Sequence, residues 1–525
     1  MIEIFKPKLS VRSGNKLKKN KIIIYSLSCA LSLVLFFAYS ATDSILNDDG
    51  MNYIYAAHAI AEGLPEQAKS YRPEILFYSQ ITLISTITGL DLYPSAQLLS
   101  LFWQILLACG FIAIIRSFDT SMQSQLIALA VFFSMMSLNG LRPEIIRGFG
   151  FWALQLWGVW AGLQFIKSRL WRFALLWLGL SGISILYRAE GLVYFALIPI
   201  LILLNTGFTG KFTAKKVLKT ASLILIVSGV TWFVFMLESK SPSSNTLGFT
   251  QLQSLSATSK LQRELRTFKQ AASNFDQLKT DIAKIMPNKW AQRSVNDLLI
   301  GGFIFHLLMT LIKTSNAPLM ALSLYKGNIR RPFFSDPRHK LLASYILTGI
   351  LVGLMSVYNK YFLSTRYIML TAILLGIPIT LLLSQSYSRF ITSHKIRARL
   401  WRYALFTLPL LACIYSLSRQ DDNKVYIREA GQWVKTHLRD EQIIYFNDQK
   451  VAFYTADYAN DSFKKQYDDL QGLLREGYQY AVLYEGKAAG EQPPLQKSLQ
   501  EHRLITFQNN RGRSVNVYKL PAPDS

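Results

Sequence analysis

The run IIIYSLSCALSLVLFFAYSA, residues 22–41, is followed within a few residues by Asn47-Asp48-Asp49-Gly50 and then by MNYIYAAHAIAE, residues 51–62. An apolar stretch of that length crosses a bilayer as a helix. Two adjacent carboxylates at its far edge are costly to place beside lipid, which makes them functional candidates. A plainer reading fits as well. Asp and Asn are favoured helix N-caps, and Gly63-Leu64-Pro65 supplies the stop for a helix over 51–62. One acid can cap while its neighbour reaches out.

Composition agrees with a membrane body. Of 525 residues, 51% are hydrophobic and 17% charged, too apolar for a soluble two-domain protein. About eleven apolar runs are long enough to span a bilayer, which takes roughly 17–25 residues. They fall near 22–41, 95–115, 122–140, 149–166, 171–187, 191–207, 217–237, 297–323, 341–358, 367–385 and 402–418. A basic stretch precedes the first run, as in a signal peptide, but no clear small-x-small cleavage pattern fits it. The run therefore reads as a retained first span.

The net charge of +25 is topological. Residues 419–525 carry 15 Lys+Arg and 15 Asp+Glu, so the whole excess belongs to 1–418. When the spans are threaded from an inner N-terminus, the inner segments are 1–21, 116–121, 167–172, 208–219, 324–340 and 386–402. These hold 25 Lys+Arg against three acids, Glu3, Asp119 and Asp336. Positive charge concentrates on the cytoplasmic side, so 1–21 is a basic cytoplasmic N-terminus and the tail lies outside. A span at 75–90 would invert everything after it and spoil that count. Nucleic acid is not the partner, since no basic, aromatic-laced soluble face is present.

The expected organisation is thus a transmembrane domain over 22–418 with outer loops 42–94 and 239–296, and an α/β domain over 419–525. Outer loop 42–94 carries seven acids and two bases and reads as short helices over 51–62 and Pro73 to Gly89. Loop 239–296 carries Ser-Pro-Ser-Ser-Asn at 241–245 near its start, and its middle, Thr258 to Asn274, reads as a surface helix or a loop. The tail shows a helix Tyr426 to Leu438, apolar stretches at 442–446 and 451–454, and a helix near 462–476. A strand Tyr480 to Tyr484 follows, then a strand pair, Leu504 to Gln508 and Ser514 to Lys519. It holds no phosphate loop, nucleophile elbow or metal constellation. Cys29, Cys109 and Cys413 each lie in an apolar run and form no disulfide or metal framework.

Arginines recur at the outer span edges: Arg72, Arg142 with Arg147, Arg188 and Arg366. Singly, each is explained by snorkelling or, in three cases, by a glutamate two residues on. Together at the level of Asp48 and Asp49, they suit a lipid phosphate, which guanidinium binds through paired donors. The fitting chemistry is glycosyl transfer from a polyprenyl-phosphate sugar. Phosphate leaves without a general acid, so the reaction needs a base for the acceptor hydroxyl and fixed positive charge. Adjacent acids are badly placed to flank a sugar ring as in glycoside hydrolysis. A divalent ion beside the acidic loop, with His58 or His306 as ligand, is an open option; no close histidine motif supports it.

The run 48–63, Asp-Asp-Gly-Met-Asn-Tyr-Ile-Tyr-Ala-Ala-His-Ala-Ile-Ala-Glu-Gly, resembles the first outer loop of GT-C membrane glycosyltransferases, such as protein O-mannosyltransferases and the lipid A aminoarabinose transferase. Tyr-Arg-Pro-Glu at 71–74, the stretch 92–100, Arg-Ala-Glu-Gly-Leu at 188–192 and Arg-Tyr at 366–367 agree in order and spacing. The resemblance covers 20–420 and, more loosely, the tail. It implies a GT-C fold, a polyprenyl-phosphate sugar donor, an extracytoplasmic site in the bacterial inner membrane and inversion at the anomeric carbon. It also implies a glycan, lipid or protein acceptor. By position Asp48 matches the first acid, the usual base, and Asp49 the second; aligned on Tyr53, Asp49 takes the first place instead. Arg188 and Arg366 match donor-phosphate contacts, and Tyr53, Tyr71, Glu190 and Tyr367 stand in the same marks as candidate substrate contacts. Two rivals remain: a transporter or flippase of lipid-linked sugars, and a non-catalytic assembly subunit. A transporter would show inverted repeats and mid-membrane charges, which are not seen.

Overall fold

A computed structural model describes residues 11–42, 45–207, 257–324, 336–391, 396–418, 424–438, 443–467, 469–485 and 494–521. The expected span 217–237, the inner segment 208–219 and the Ser-Pro-Ser-Ser-Asn stretch of the expected second outer loop lie outside the described residues. In chain order, α1 (Val11–Thr42) carries the first apolar run, and the segment after it folds as α2 (Asp48–Ala61), α3 (Pro65–Tyr71) and α4 (Ile75–Thr88). Next come α5 (Leu92–Phe118), α6 (Met122–Phe133), α7 (Met136–Asn139), α8 (Gly148–Ser168), α9 (Trp171–Tyr187) and α10 (Glu190–Gly207). After residue 256 follow α11 (Ala257–Ile285), α12 (Lys289–Thr314), α13 (Ala317–Leu324), α14 (Pro337–Lys360), α15 (Thr365–Phe390) and α16 (Ile396–Ser418). The tail contains α17 (Val425–His437), β1 (Ile444–Phe446), α18 (Gln449–Phe453), α19 (Leu470–Arg475), β2 (Tyr480–Glu485), α20 (Pro494–Leu499), β3 (Arg503–Gln508) and β4 (Ser514–Lys519).

The chain forms two compact units. The first, residues 1–35, 101–141 and 147–416, is a helical membrane bundle. Among the described residues six helical stretches are long and apolar enough to span a bilayer: Asn20–Ala41, Leu92–Phe118, Lys289–Thr314, Pro337–Lys360, Thr365–Phe390 and Ala398–Ser418. Shorter apolar helices accompany them, among them α9 and the start of α10. The protein is a multi-pass membrane protein. At α4, Ile75–Thr88 is a short apolar helix and falls below that length.

Inside the bundle, α8 packs on α9, α10 on α14, and α15 on both α6 and α14. Polar side chains also pair between segments of the bundle, because lipid leaves them no other partner. Gln155 donates to Ser184 at 2.7 Å, the Trp177 indole to the Tyr345 hydroxyl at 2.7 Å, and Asn316 to Ser134 at 2.6 Å. Most of the apolar surface of α12 and α16 stays open, as suits helices facing lipid.

Two expected spans differ in detail, and one division falls where expected. The run 122–140 breaks after Phe133, where the buried Asn139 amide donates to the Phe133 carbonyl at 2.7 Å and α7 begins. The long run 297–323 is two helices parted at Ser315-Asn316, Asn316 having φ 61°. It starts earlier than hydropathy suggests, because Asn288 caps α12 by accepting from Ala291 N at 2.8 Å. The stretch 171–207 divides at Arg188, whose extended backbone ends α9, as the Arg-Ala-Glu-Gly turn predicts.

The second unit, residues 36–100, 142–146 and 417–525, contains α2 to α4 and the tail domain. The four strands run in the order β1-β2-β4-β3, with β1 parallel to β2 and the other pairs antiparallel. Strand side chains alternate between faces, and helices cover both. On one face Ile427, Ala430 and Val434 of α17 meet Phe446, Val482, Val515 and Val517, together with Ile45. On the other, Leu473 and Leu499 meet Tyr445, Ala481, Leu483 and Tyr518. The stretch 451–454 lies at and just past the end of α18, and the helix expected near 462–476 is a 3₁₀ turn, Ser462–Lys464, followed by α19. The middle of the stretch 239–296, expected as a second outer loop, is the long helix α11.

Candidate active site

The first turn of α2 is built around Asn47. Its extended backbone (φ −68°, ψ 151°) starts the helix, and its carbonyl accepts the first helical bond, from Met51 N at 3.1 Å. Its side chain does not cap. Asn47 Oδ1 accepts from Ile145 N at 3.0 Å, and Asn47 Nδ2 donates to the Ile145 carbonyl at 3.5 Å, which clasps the turn to segment 142–146. Asn47, and neither acid, therefore holds the cap position. Both aspartates fall in the first turn, where free N–H groups favour negative charge by about 0.3–1 kcal/mol each.

Gly50 makes this clasp possible. A Cβ there would lie 2.8 Å from Asn47 Oδ1, 2.9 Å from Leu46 Cδ1 and 3.0 Å from Ile145 Cβ. Gly50→Val is expected to push the turn off Ile145, costing about 1–3 kcal/mol of stability. A thermal unfolding curve that matches wild type would overturn this packing argument.

Each acid faces a cation. Asp49 forms a direct ion pair with Arg72, whose guanidinium also lies over the Tyr53 ring at 5.3 Å. Asp48 Oδ1 stands 3.2 Å from Lys450 Nζ, contributed by the tail domain. The Asp48 side chain is 66% exposed and that of Asp49 37%. Pairs this open contribute only about 0.2–1 kcal/mol to stability. Lys450 is itself held in place. Asp448 caps α18 by accepting from Lys450 N at 2.7 Å, and burial raises the Asp448 carboxyl above its ordinary value against the lowering effect of Lys450. Tyr71 stacks on Tyr55 at 5.3 Å, with Lys464 Nζ 3.8 Å above the Tyr71 ring. Arg142 is buried, 1% exposed, which does not fit a side chain snorkelling to lipid head groups.

The other candidate residues belong to the bundle unit. Arg188 binds Glu190 through two bonds, Nη2 to Oε1 at 2.7 Å and Nε to Oε2 at 3.3 Å, and its Nη1 reaches the Arg366 carbonyl at 3.5 Å. Its guanidinium lies 4.8 Å from the Tyr367 ring centre and 5.8 Å from that of Phe151. Arg147 precedes α8 and lies within electrostatic reach of Glu190. The structure thus brings Asp48, Asp49, Tyr53, Tyr71, Arg72 and Arg142 into one unit, and Arg147, Arg188, Glu190, Arg366 and Tyr367 into the other. Among the described residues no group of three His, Cys, Asp or Glu side chains is placed to hold a metal ion. His58 packs against the Tyr458 ring at 5.9 Å.

Sequence reasoning does not find Asn47 as a clasp, Lys450 at Asp48, Lys464 at Tyr71, or Lys360, which donates to the Tyr367 hydroxyl and sits 4.1 Å from its ring centre. Only Lys360 carries a usable signal, as a cation shortly before Arg366-Tyr367.

No protein-family model and no curated protein sequence matches the chain. Solved structures do. ArnT from Cupriavidus metallidurans bound to undecaprenyl phosphate matches with a TM-score of 0.52 at 12% identity, over 95% of this chain and 99% of that one. Its apo state gives 0.51 at 10% identity with the same coverage. The Archaeoglobus fulgidus oligosaccharyltransferase, in complex with Zn and sulfate, gives 0.53 at 11% identity, over 88% of this chain and 68% of that one. The chain therefore has the GT-C fold that its motifs resemble, a polytopic helical membrane body with a small C-terminal α/β domain.

Proposed function

We propose that the protein is an inverting membrane glycosyltransferase that moves a sugar from a polyprenyl-phosphate carrier to a hydroxyl of a glycan, lipid or protein acceptor. The observation that carries this reading is the acid pair in the first turn of α2, each acid faced by a cation, on the fold of an enzyme solved with undecaprenyl phosphate. Asp48 is the base. It is the more exposed acid, and among the described residues Lys450 is its only ion-pair partner and engages one carboxylate oxygen, leaving the other for a hydroxyl proton. Asp49 holds Arg72. Arg188, Arg366 and Tyr367 supply the donor-phosphate contacts, with fixed positive charge opposing the charge that grows on the leaving phosphate.

In this reading residues 1–21 lie in the cytoplasm, 22–418 form the catalytic membrane domain and 419–525 lie outside the bacterial inner membrane. The test uses the purified full chain in lipid nanodiscs, and in sealed lipid vesicles, with polyprenyl-phosphate sugars. Release of polyprenyl phosphate together with acceptor glycosylation is expected. Movement of the lipid-linked sugar across vesicles without any transfer would replace this reading with a transporter.

A further inference from the structure

The tail domain has no catalytic motif of its own, yet it delivers one charged side chain to the acidic turn. Among the described residues Lys450 is the sole ion-pair partner of Asp48, Nζ to Oδ1 at 3.2 Å. The segment carrying it is fixed on both sides. Asp448 caps α18 through Lys450 N, and Gln449 Nε2 donates to Asn52 Oδ1 on α2 at 2.8 Å. At the far end of α18, the Tyr454 hydroxyl accepts from Leu46 N at 2.6 Å, just before the acidic turn. The Tyr55 ring of α2 meets Phe453, Tyr458 and Phe463 with centroids 6.3, 5.9 and 5.5 Å away. α18 is thus docked along α2 by backbone, amide and ring contacts, and the lysine is set in this frame.

We propose that Lys450 is a positioning residue for Asp48, and that the α/β domain thereby completes the active site; this rests on Asp48 being the base. The ammonium pins Oδ1 and so fixes the direction of the second oxygen toward the acceptor hydroxyl. A carboxylate on an open helix turn otherwise rotates freely, and a misplacement of 1 Å at a reacting group costs about 10²-fold in rate.

The experiment measures kcat and donor KM for wild type, Lys450→Met, Lys450→Arg, Asp48→Asn and the double variant Asp48→Asn/Lys450→Met, with unfolding temperature followed alongside. Lys450→Met is expected to lower kcat roughly 10- to 100-fold at unchanged donor KM and unfolding temperature. Lys450→Arg is expected to restore most of it. The double variant is expected to be no slower than Asp48→Asn, because two residues acting as a unit are not additive. Wild-type kcat in Lys450→Met beside an inactive Asp48→Asn overturns this inference and leaves the proposed function standing. A further loss from Lys450→Met in the Asp48→Asn background also overturns it, since Lys450 would then act elsewhere. Full activity of Asp48→Asn overturns the base assignment, and this inference with it.

Discussion

Asp48→Asn is expected to lower kcat by about 10²–10⁴-fold, the usual contribution of a positioned general base, with little change in donor KM. Asparagine keeps the shape of the side chain but accepts no proton near neutral pH. The fold should tolerate the change. The Asp48 side chain is 66% exposed, and its ion pair with Lys450 contributes at most about 1 kcal/mol. Loss of rate with an intact unfolding transition is therefore the signature. Asp49→Asn differs in kind, because it releases Arg72, which also lies over Tyr53. Its defect is expected in donor or acceptor binding as well as in kcat. Wild-type turnover in Asp48→Asn would end the assignment of that residue as base.

How far the sequence reveals this arrangement depends on range. Spans are legible because hydropathy and the sign of the flanking charge are local properties, and the division at Arg188 is legible for the same reason. The break after Ser134 is not, since apolar content continues through it and its cause is the Asn139 side chain bonding to backbone, whereas the break at Ser315-Asn316 falls in the polar run Lys313-Thr314-Ser315-Asn316 of an overlong apolar stretch. The strands of the tail show in their alternation, whereas the short α18 does not. Asp48 and Asp49 stand out as charges beside a span. Their partners do not: Gln449 meets Asn52 across 397 residues of sequence, and nothing near Lys450 marks it as facing an acid. Gly50 looks like part of a turn, but its use is the close approach of Ile145, which only the fold supplies.

Arg188 is the second residue whose loss should be felt strongly, and two substitutions separate its two roles. Its side chain is 11% exposed and that of Glu190 25%, so Arg188→Ala strands a largely buried carboxylate. Breaking such a pair costs about 3 kcal/mol or more, most of it from the charge left without a partner. The double variant Arg188→Ala/Glu190→Ala is accordingly expected to be more stable than Arg188→Ala alone, as read from thermal unfolding in detergent. Arg188→Lys keeps the positive charge and should keep the fold, but a single ammonium does not reproduce the paired bonds to Glu190, the reach to the Arg366 carbonyl and the face laid against Tyr367. If this fork holds the donor phosphate, Arg188→Lys raises donor KM roughly ten- to hundredfold, the equivalent of about 1.5–3 kcal/mol for a lost charged hydrogen bond. A donor KM equal to wild type in a folded Arg188→Lys protein would make Arg188 a brace for Glu190, and the phosphate would have to be held by other cations.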